Sequence, residues 1–405
     1  MLNKEAVLSG RRLSGLELTA LFTGFIAATY GFGIYLFSTL IPDMKGDLGL
    51  DYGDAGTVIA LAQVGFMVAA LSSGLLAHRF GAARVVLFSV LVCGVCLLAL
   101  SFATAGWQLV GLLFLTGAAA ASVWVPMVSL AQAALPTTHQ GKALGLMSSG
   151  TAYGVFLNGL AVPALVPSYG WQSVWLVMGV VTLILFAWGV VRLSGVRFES
   201  RRTAVDTEPG ATAGTLSVLR SPLSAIVLAM MFFNGIACMP TQNYLVSLLR
   251  DDLGYGVAEA SRAWSAIGFI GMFGGLLMGW VADRITVLRA MLLTYALLVA
   301  AIMAFLHHSS LVEIYIGAAL FGLAFNAIFG LMPAFVSLNF HGRSATTIFG
   351  FGNVLLGLGS MAGNYLGGAT KDALGSFQLI YLISLGAGIV LLGLTVVLGI
   401  RTAEK

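Results

Sequence analysis

Charge is scarce in this 405-residue chain: Asp, Glu, Lys and Arg together make up 9% of it, against 59% apolar residues. That balance excludes an ordinary soluble globular domain. Cysteine is scarcer still, with only Cys93, Cys96 and Cys238, all inside apolar runs. A disulfide framework is therefore excluded. Cys93-Gly-Val-Cys96 has a redox or metal spacing, but no His or carboxylate lies near it, and it reads as a pair of small packing residues. The chain contains no His-Glu-x-x-His, no Gly-x-Ser-x-Gly elbow and no phosphate-binding loop, so it offers no signature of a metalloprotease, serine hydrolase or nucleotide enzyme. His307-His308 has only Glu313 nearby and reads as a solvated pair. No catalytic residue, metal or cofactor is expected.

What the chain has is apolar length. Twelve mostly apolar runs, each long enough to span a bilayer as a helix, fall near 16–41, 55–77, 83–104, 107–131, 143–166, 171–193, 222–248, 260–282, 287–306, 312–336, 345–369 and 377–400. The first follows a polar, basic start and is too long for a signal-peptide core, so it reads as an uncleaved helix. The basic residues sort onto alternate loops. Only Lys45, Arg250, Arg262 and Lys371 lie on one side, which leaves sixteen of the 20 Lys and Arg on the side shared by both termini. By the positive-inside rule both termini are cytoplasmic. The formal net charge of +4 is thus a topology signal and implies no nucleic-acid partner. The partners expected are the lipid bilayer and a small-molecule substrate, with the chain acting as a monomer.

One connection is long. Residues 194–221 carry mixed charge and a Gly/Ala/Thr tract and read as a cytoplasmic linker, dividing the chain into bundles at 1–193 and 222–405. The two halves repeat. Asp47-Leu48-Gly49 recurs 205 residues later as Asp252-Leu253-Gly254, and at that offset Asp54 meets Glu259, Gly74 meets Gly279, Ala77 meets Ala282, Arg79 meets Arg284 and Gly117 meets Gly322. After the fourth helix the register slips, so that Gln140-Gly141-Lys142 faces His341-Gly342-Arg343. The fold expected is all-α: twelve transmembrane helices as two pseudo-symmetric six-helix bundles, with a substrate site near mid-membrane.

Two loops carry a family resemblance. Gly74-Leu-Leu-Ala-His78-Arg79-Phe-Gly81-Ala-Ala-Arg84 follows the second helix, and Gly279-Trp-Val-Ala-Asp283-Arg284, with Arg289 beyond it, follows the eighth. Both resemble the signature loop of the major facilitator superfamily, whose members are alternating-access transporters. The resemblance implies a gating role for these loops on the cytoplasmic side. The family's usual aspartate is His78 here, which reads either as a pH-dependent latch or as a tolerated substitution. Leu113 stands where many proton-coupled members carry a basic residue, and the antiporter signature of the fifth helix is absent.

The resemblance also implies that the first, fourth, seventh and tenth helices line the cavity. Their polar and aromatic residues are Thr29, Tyr30 and Tyr35; Trp124; Asn234, Gln242 and Asn243; and Asn326. Tyr153, Asn158 and Asn353 add polar groups from the fifth and eleventh helices, and Gln63 one from the second. Each is a candidate substrate contact, and each is equally open to a packing role, since buried amides find partners across helix contacts. Arg262, the deepest charge, reads either as an interfacial arginine snorkelling outward or as an attractor for an anion. No Asp, Glu or His falls at mid-membrane. Proton coupling would then require a substrate that carries its own proton, and a uniporter or exchanger is otherwise expected. The glycine ladders Gly271-Gly275-Gly279 and Gly359-Gly363-Gly367 read as close-packing faces.

The expectation is a transporter of the bacterial inner membrane that moves a small organic solute, closest to metabolite and organic-anion branches such as the oxalate–formate and monocarboxylate carriers. Gly275 stands where the oxalate exchanger type has an arginine, which favours a monocarboxylate or a neutral metabolite. The alternative is a proton-coupled multidrug exporter, for which methionines such as Met127, Met230, Met231 and Met239 would suit promiscuous apolar binding.

Overall fold

A computed structural model describes residues 14–135, 137–193, 218–340 and 342–403. The linker expected at 194–221 falls almost wholly outside these, as does His341. Among the described residues, eleven continuous helical runs are long and apolar enough to cross a bilayer, and one of them, Lys142–Leu193, is 52 residues long. A single crossing needs about 20 residues. The long run breaks at Gly170, whose φ of 74° and ψ of 169° lie outside helical space, and so supplies two crossings.

The twelve are α1 (Gly15–Leu48), α2 (Tyr52–Phe80), α3 (Ala82–Leu100), α4 (Gly106–Ala134), α5 (150–169), α6 (171–193), α7 (Pro222–Asn243, prolonged by turns to Asp252), α8 (Val257–Ile285), α9 (Val287–His307), α10 (Leu311–Asn339), α11 (Arg343–Leu374) and α12 (Gln378–Ala403). A short helix, Thr137–Ser148, leads into α5. Hydropathy ended the first helix at residue 41, but it continues through Pro42 to Leu48, where Gly49 closes it in the left-handed region. Side chains cap several helix starts: the hydroxyls of Ser14, Ser221 and Ser310 accept from the amides of Glu17, Ser224 and Glu313, satisfying donors that lipid cannot.

By backbone proximity the helices fall into two compact units. One holds α1, α2 from Leu61 onward and α3–α6; the other holds Asp51–Ala60 at the start of α2 together with α7–α12. Within the first, α3 packs on α4 and on the α5–α6 run; within the second, α8 packs on α10, and α7 on α11 and α12.

The 205-residue repeat appears in the contacts themselves. A Cβ on Gly117 would overlap the Ala62 carbonyl, and one on Gly322 would overlap that of Ile267, 205 residues after Ala62. Gly154 presses on the Ala27 carbonyl as Gly359 presses on that of Phe232. The register slip expected after the fourth helix is therefore local, and the 205 offset returns by α5 and α11. Gly170 and Gly375 share φ values of 74° and 73°. The Asp-Leu-Gly motif gains a physical role in the same way. Trp171 Nε1 donates to Asp47 at 2.7 Å, and at the matching positions Ser376 Oγ donates to Asp252 at 3.2 Å. Each aspartate thus holds the start of the last helix of its repeat, where an acceptor is favoured.

The glycine ladders fare differently. On α11, Gly359, Gly363 and Gly367 lie against Phe232, Pro240 and Tyr244 of α7, as expected. On α8 the close contact is at Gly274, against the Leu323 carbonyl, whereas Gly275 and Gly279 are loosely surrounded. The buried face is rotated from the ladder: Gly271 and Gly274 are buried, whereas Gly275 is exposed.

One position is strained. Gly81 has φ 92°, and its repeat mate Thr286 has φ 95° and ψ 149°, a region favourable only to glycine. The Thr286 hydroxyl compensates by accepting from the Arg289 amide at 3.4 Å. Releasing the strain outweighs a cap that glycine replaces at a cost of a few tenths of a kcal/mol, so Thr286→Gly is expected to stabilise the protein by about 1–2 kcal/mol. Thermal unfolding in detergent checks this; a lower midpoint for the variant would mean that the cap dominates.

Candidate functional site

In the second unit, α7 and α11 approach so closely at Gly235 and Gly359 that backbone meets backbone. Beside this crossing, α10 completes a shallow cleft walled by Met231, Phe329, Met332 and Phe349, with the amides of Asn234 and Asn353 as its polar groups. Among the described residues, no charged side chain lines it. Asn234 is 1% exposed. Its Nδ2 donates to the Tyr295 hydroxyl of α9 at 3.0 Å, which fixes the amide, while Oδ1 has no partner. A buried, unpartnered acceptor costs about 1–3 kcal/mol, so this enclosed atom, on a residue of the cleft wall, has an unmet demand for a donor. Asn353 is exposed, lines the same cleft and donates to the Phe349 carbonyl of its own helix at 2.8 Å.

The other candidates of this unit lie elsewhere. Asn326 donates to Gly322 of its own helix at 3.1 Å and packs beside Gly274. Further along α7, Asn243 Nδ2 donates to Asn364 Oδ1 at 2.9 Å. Gln242 is 1% exposed, and neither polar atom of its amide has a partner. Asn364, which sequence reasoning missed, is the hub here: it also accepts from the Tyr244 hydroxyl through its carbonyl and donates to Ser360. An asparagine in the glycine-rich eleventh helix was the available signal. Arg262 is exposed in the second turn of α8.

In the first unit, Thr29 is fully buried and donates to the Phe25 carbonyl at 2.8 Å. Tyr30 and Trp124 are partly buried against one core cluster of α1, α3 and α4, and the Tyr30 ring meets Phe66 edge-on with centroids 5.9 Å apart. Tyr35 is buried and Tyr153 is exposed. Asn158 is fully buried, and its Nδ2 donates to the Gly31 carbonyl at 2.7 Å.

The signature loops keep the same form in both repeats. Gly74, His78 and Arg79 occupy the last turns of α2, and Gly81 and Arg84 start α3; Gly279, Asp283 and Arg284 end α8, and Arg289 opens α9. Arg284 stacks 3.7 Å over Trp280 and Arg79 lies 5.4 Å from the Phe80 ring. Both guanidiniums lie within cation–π range of the neighbouring ring.

A polar cluster in the second unit was also missed. Asp372 of α11 accepts from the amides of Tyr52 and Gly53, capping the first turn of α2. Tyr52 donates to Asp251 at 2.6 Å, and its ring meets Phe377 edge-on. Lys371 is paired with Asp252, and both are about one-tenth exposed. In sequence these residues lie up to 320 positions apart, and of them only Asp252 stands out, as part of the repeated Asp-Leu-Gly motif.

Comparisons with known proteins bear on the fold and the family. The chain is 27% identical to a gallate transporter of Pseudomonas putida, over 93% of this chain and 86% of that protein. It is 28% identical to the 4-hydroxybenzoate transporter PcaK of the same organism, over 80% and 75%. It is 26% identical to a 3-(3-hydroxy-phenyl)propionate transporter of Escherichia coli strain K12, over 95% and 94%. The fold matches the crystal structure of the nucleoside transporter NupG with a TM-score of 0.75 at 14% identity, over 95% of this chain and 98% of that one. The Major Facilitator Superfamily pattern matches residues 23–364, most of the chain, and the protein therefore belongs to that superfamily of membrane transporters.

Proposed function

We propose that this transporter carries a hydroxylated aromatic carboxylate across the bacterial cytoplasmic membrane by alternating access, as a monomer with both termini inside. The observation that carries this reading is the cleft of α7, α10 and α11. Its aromatic and thioether walls suit a flat ring, and the unpartnered Asn234 oxygen suits a phenolic hydroxyl, which must donate. The similarity to transporters named for gallate, 4-hydroxybenzoate and 3-(3-hydroxy-phenyl)propionate supports the same class and moves the expected branch away from the oxalate–formate type. An acid of this kind matches a cleft without charge if amide groups and a partly protonated carboxyl share the burden of the anion.

The test is uptake of radiolabelled 4-hydroxybenzoate by cells making the protein, with unlabelled competitors. Gallate should compete, benzoate more weakly for want of the hydroxyl, and lactate or formate not at all. A missing hydrogen-bond partner in a buried site costs roughly tenfold or more in apparent affinity. Equal competition by lactate would instead return the substrate to small monocarboxylates. Export of ethidium with no aromatic-acid uptake would favour the multidrug reading, for which the methionines at the cleft are the supporting observation.

A further inference from the structure

The middle of α1 departs from α-helical geometry where it is most enclosed. Ala27–Tyr35 winds as a π-helix for nine residues, whereas such widened turns are usually single and tend to mark functional sites. Passing from i→i+4 to i→i+5 bonding leaves carbonyls poorly matched to the amides beyond them, and a membrane interior has no water to replace those bonds. Side chains from three other helices do so instead. Thr116 Oγ1 of α4 donates to the Gly33 carbonyl at 2.8 Å, and Asn158 Nδ2 of α5 donates to that of Gly31 at 2.7 Å. Cys93 Sγ of α3 lies 3.8 Å from the Ala28 carbonyl. All three residues are fully buried. Gly31 and Gly154 make room, since a Cβ on either would overlap the other's Cα.

The second repeat clarifies what this arrangement is for. Gly154 and Gly359 make the same contact with the first helix of their repeats, yet α7 stays α-helical through Pro222–Asn243, and Gly363 stands at the position matching Asn158. Close packing alone therefore does not produce the π segment. The Ile236 carbonyl of α7, which matches that of Gly31, also accepts a side-chain donor, Ser384 Oγ of α12 at 3.2 Å. What differs is the pair of donors from α4 and α5, Thr116 and Asn158, where the second repeat has Phe321 and Gly363. Asn158 keeps a second polar atom, Oδ1, without a partner, so its hold on α1 is a single bond.

We infer that Thr116 and Asn158 are positioning residues for transport: they hold α1 in its π register, and that register aims Tyr30. Tyr30 lies inside the segment, beside Gly31, so a return to α-helical winding would turn its side chain away from its present direction. Tyr30 is a cavity candidate through the family resemblance and is not among the residues lining the cleft of α7, α10 and α11. Its part in transport therefore rests on the alternating-access function proposed above, whereas the register itself is measured without any substrate.

The test places Tyr30→Cys in the full-length protein, whose native cysteines are buried, and follows its modification by a water-soluble maleimide in proteoliposomes. Thr116→Val removes the donor with little change of shape, and Thr116→Ser restores it. The valine variant is expected to slow modification about fivefold, the shift that one hydrogen bond supports, and the serine variant to keep the parent rate. Asn158→Leu should act in the direction of valine. Trp124→Cys, on α4, serves as the control and should be modified at an unchanged rate in every variant. Equal rates for Thr116→Val and Thr116→Ser would overturn the proposal. So would a valine variant that melts at a lower temperature with Tyr30→Cys labelling unchanged, or one in which Trp124→Cys shifts as much as Tyr30→Cys. Loss of aromatic-acid uptake plays no part in this readout, so failure of the substrate assignment and failure of the register assignment remain distinguishable.

Discussion

Asn234→Leu is expected to lower 4-hydroxybenzoate uptake by about ten- to a hundredfold, the range that follows from removing one acceptor and leaving a donor unmatched in a buried site. The same substitution orphans the Tyr295 hydroxyl, which Asn234 now engages at 3.0 Å, so some loss of stability accompanies it. Tyr295→Phe separates the two effects. It strands the Asn234 amide in the mirror-image manner and destabilises by a similar amount, but it leaves Oδ1 in the cleft. Its uptake should fall only severalfold, because an amide without its orienting partner still accepts. If the two variants lose uptake equally and in step with their melting temperatures, Asn234 supports the fold and does not meet the substrate.

How much of this was legible in the sequence depends on range. Lipid imposes one dominant rule, that a crossing needs enough apolar length to bond its own backbone, and hydropathy therefore located all twelve crossings. The repeat was legible because backbone geometry forces particular residues at particular places. Gly49 and Gly254 end helices at φ 64° and 71°, and Gly117 and Gly322 sit where no Cβ fits. Thr286 shows the limit of that reasoning, since it adopts the conformation of Gly81 without being glycine.

The site was less legible. Choosing polar residues near helix centres found Asn234 and Asn353, which share a cleft. The same rule chose Asn326, which donates to its own helix as Asn353 does but packs beside Gly274 and not at the cleft. Which of two amide atoms is left free is decided by partners such as Tyr295 that lie on other helices. The π segment is marked within its own nine residues only by Gly31 and Gly33, and the side chains that reach its carbonyls, Thr116 and Asn158, lie on α4 and α5. The carboxylates around Tyr52 were missed for the same reason. Their meaning comes from residues brought together across hundreds of positions.

The second large effect is expected at Asp252. Its side chain is 9% exposed, and it holds Lys371, the Ser376 hydroxyl and the Phe377 amide together. Asp252→Ala leaves the Lys371 ammonium, 12% exposed, with the Gly375 carbonyl and the face of Phe377 but no anion. Stranding a buried charge in this way costs about 3–5 kcal/mol. The repeat counterpart is an internal standard: Asp47→Ala removes the bond from Trp171 Nε1 and should cost about 1 kcal/mol. Lys371→Met should also be mild, because Asp252 keeps the Ser376 and Phe377 donors. The double variant Asp252→Ala/Lys371→Met should then recover a large part of the loss, since no ammonium is left to strand, although the start of α12 remains uncapped. Thermal unfolding in one detergent at one pH measures all four variants. A double variant no better than Asp252→Ala would mean that the capping bonds to α12, and not the ion pair, account for the cost, and Asp252 would then differ from Asp47 only in the number of donors it gathers.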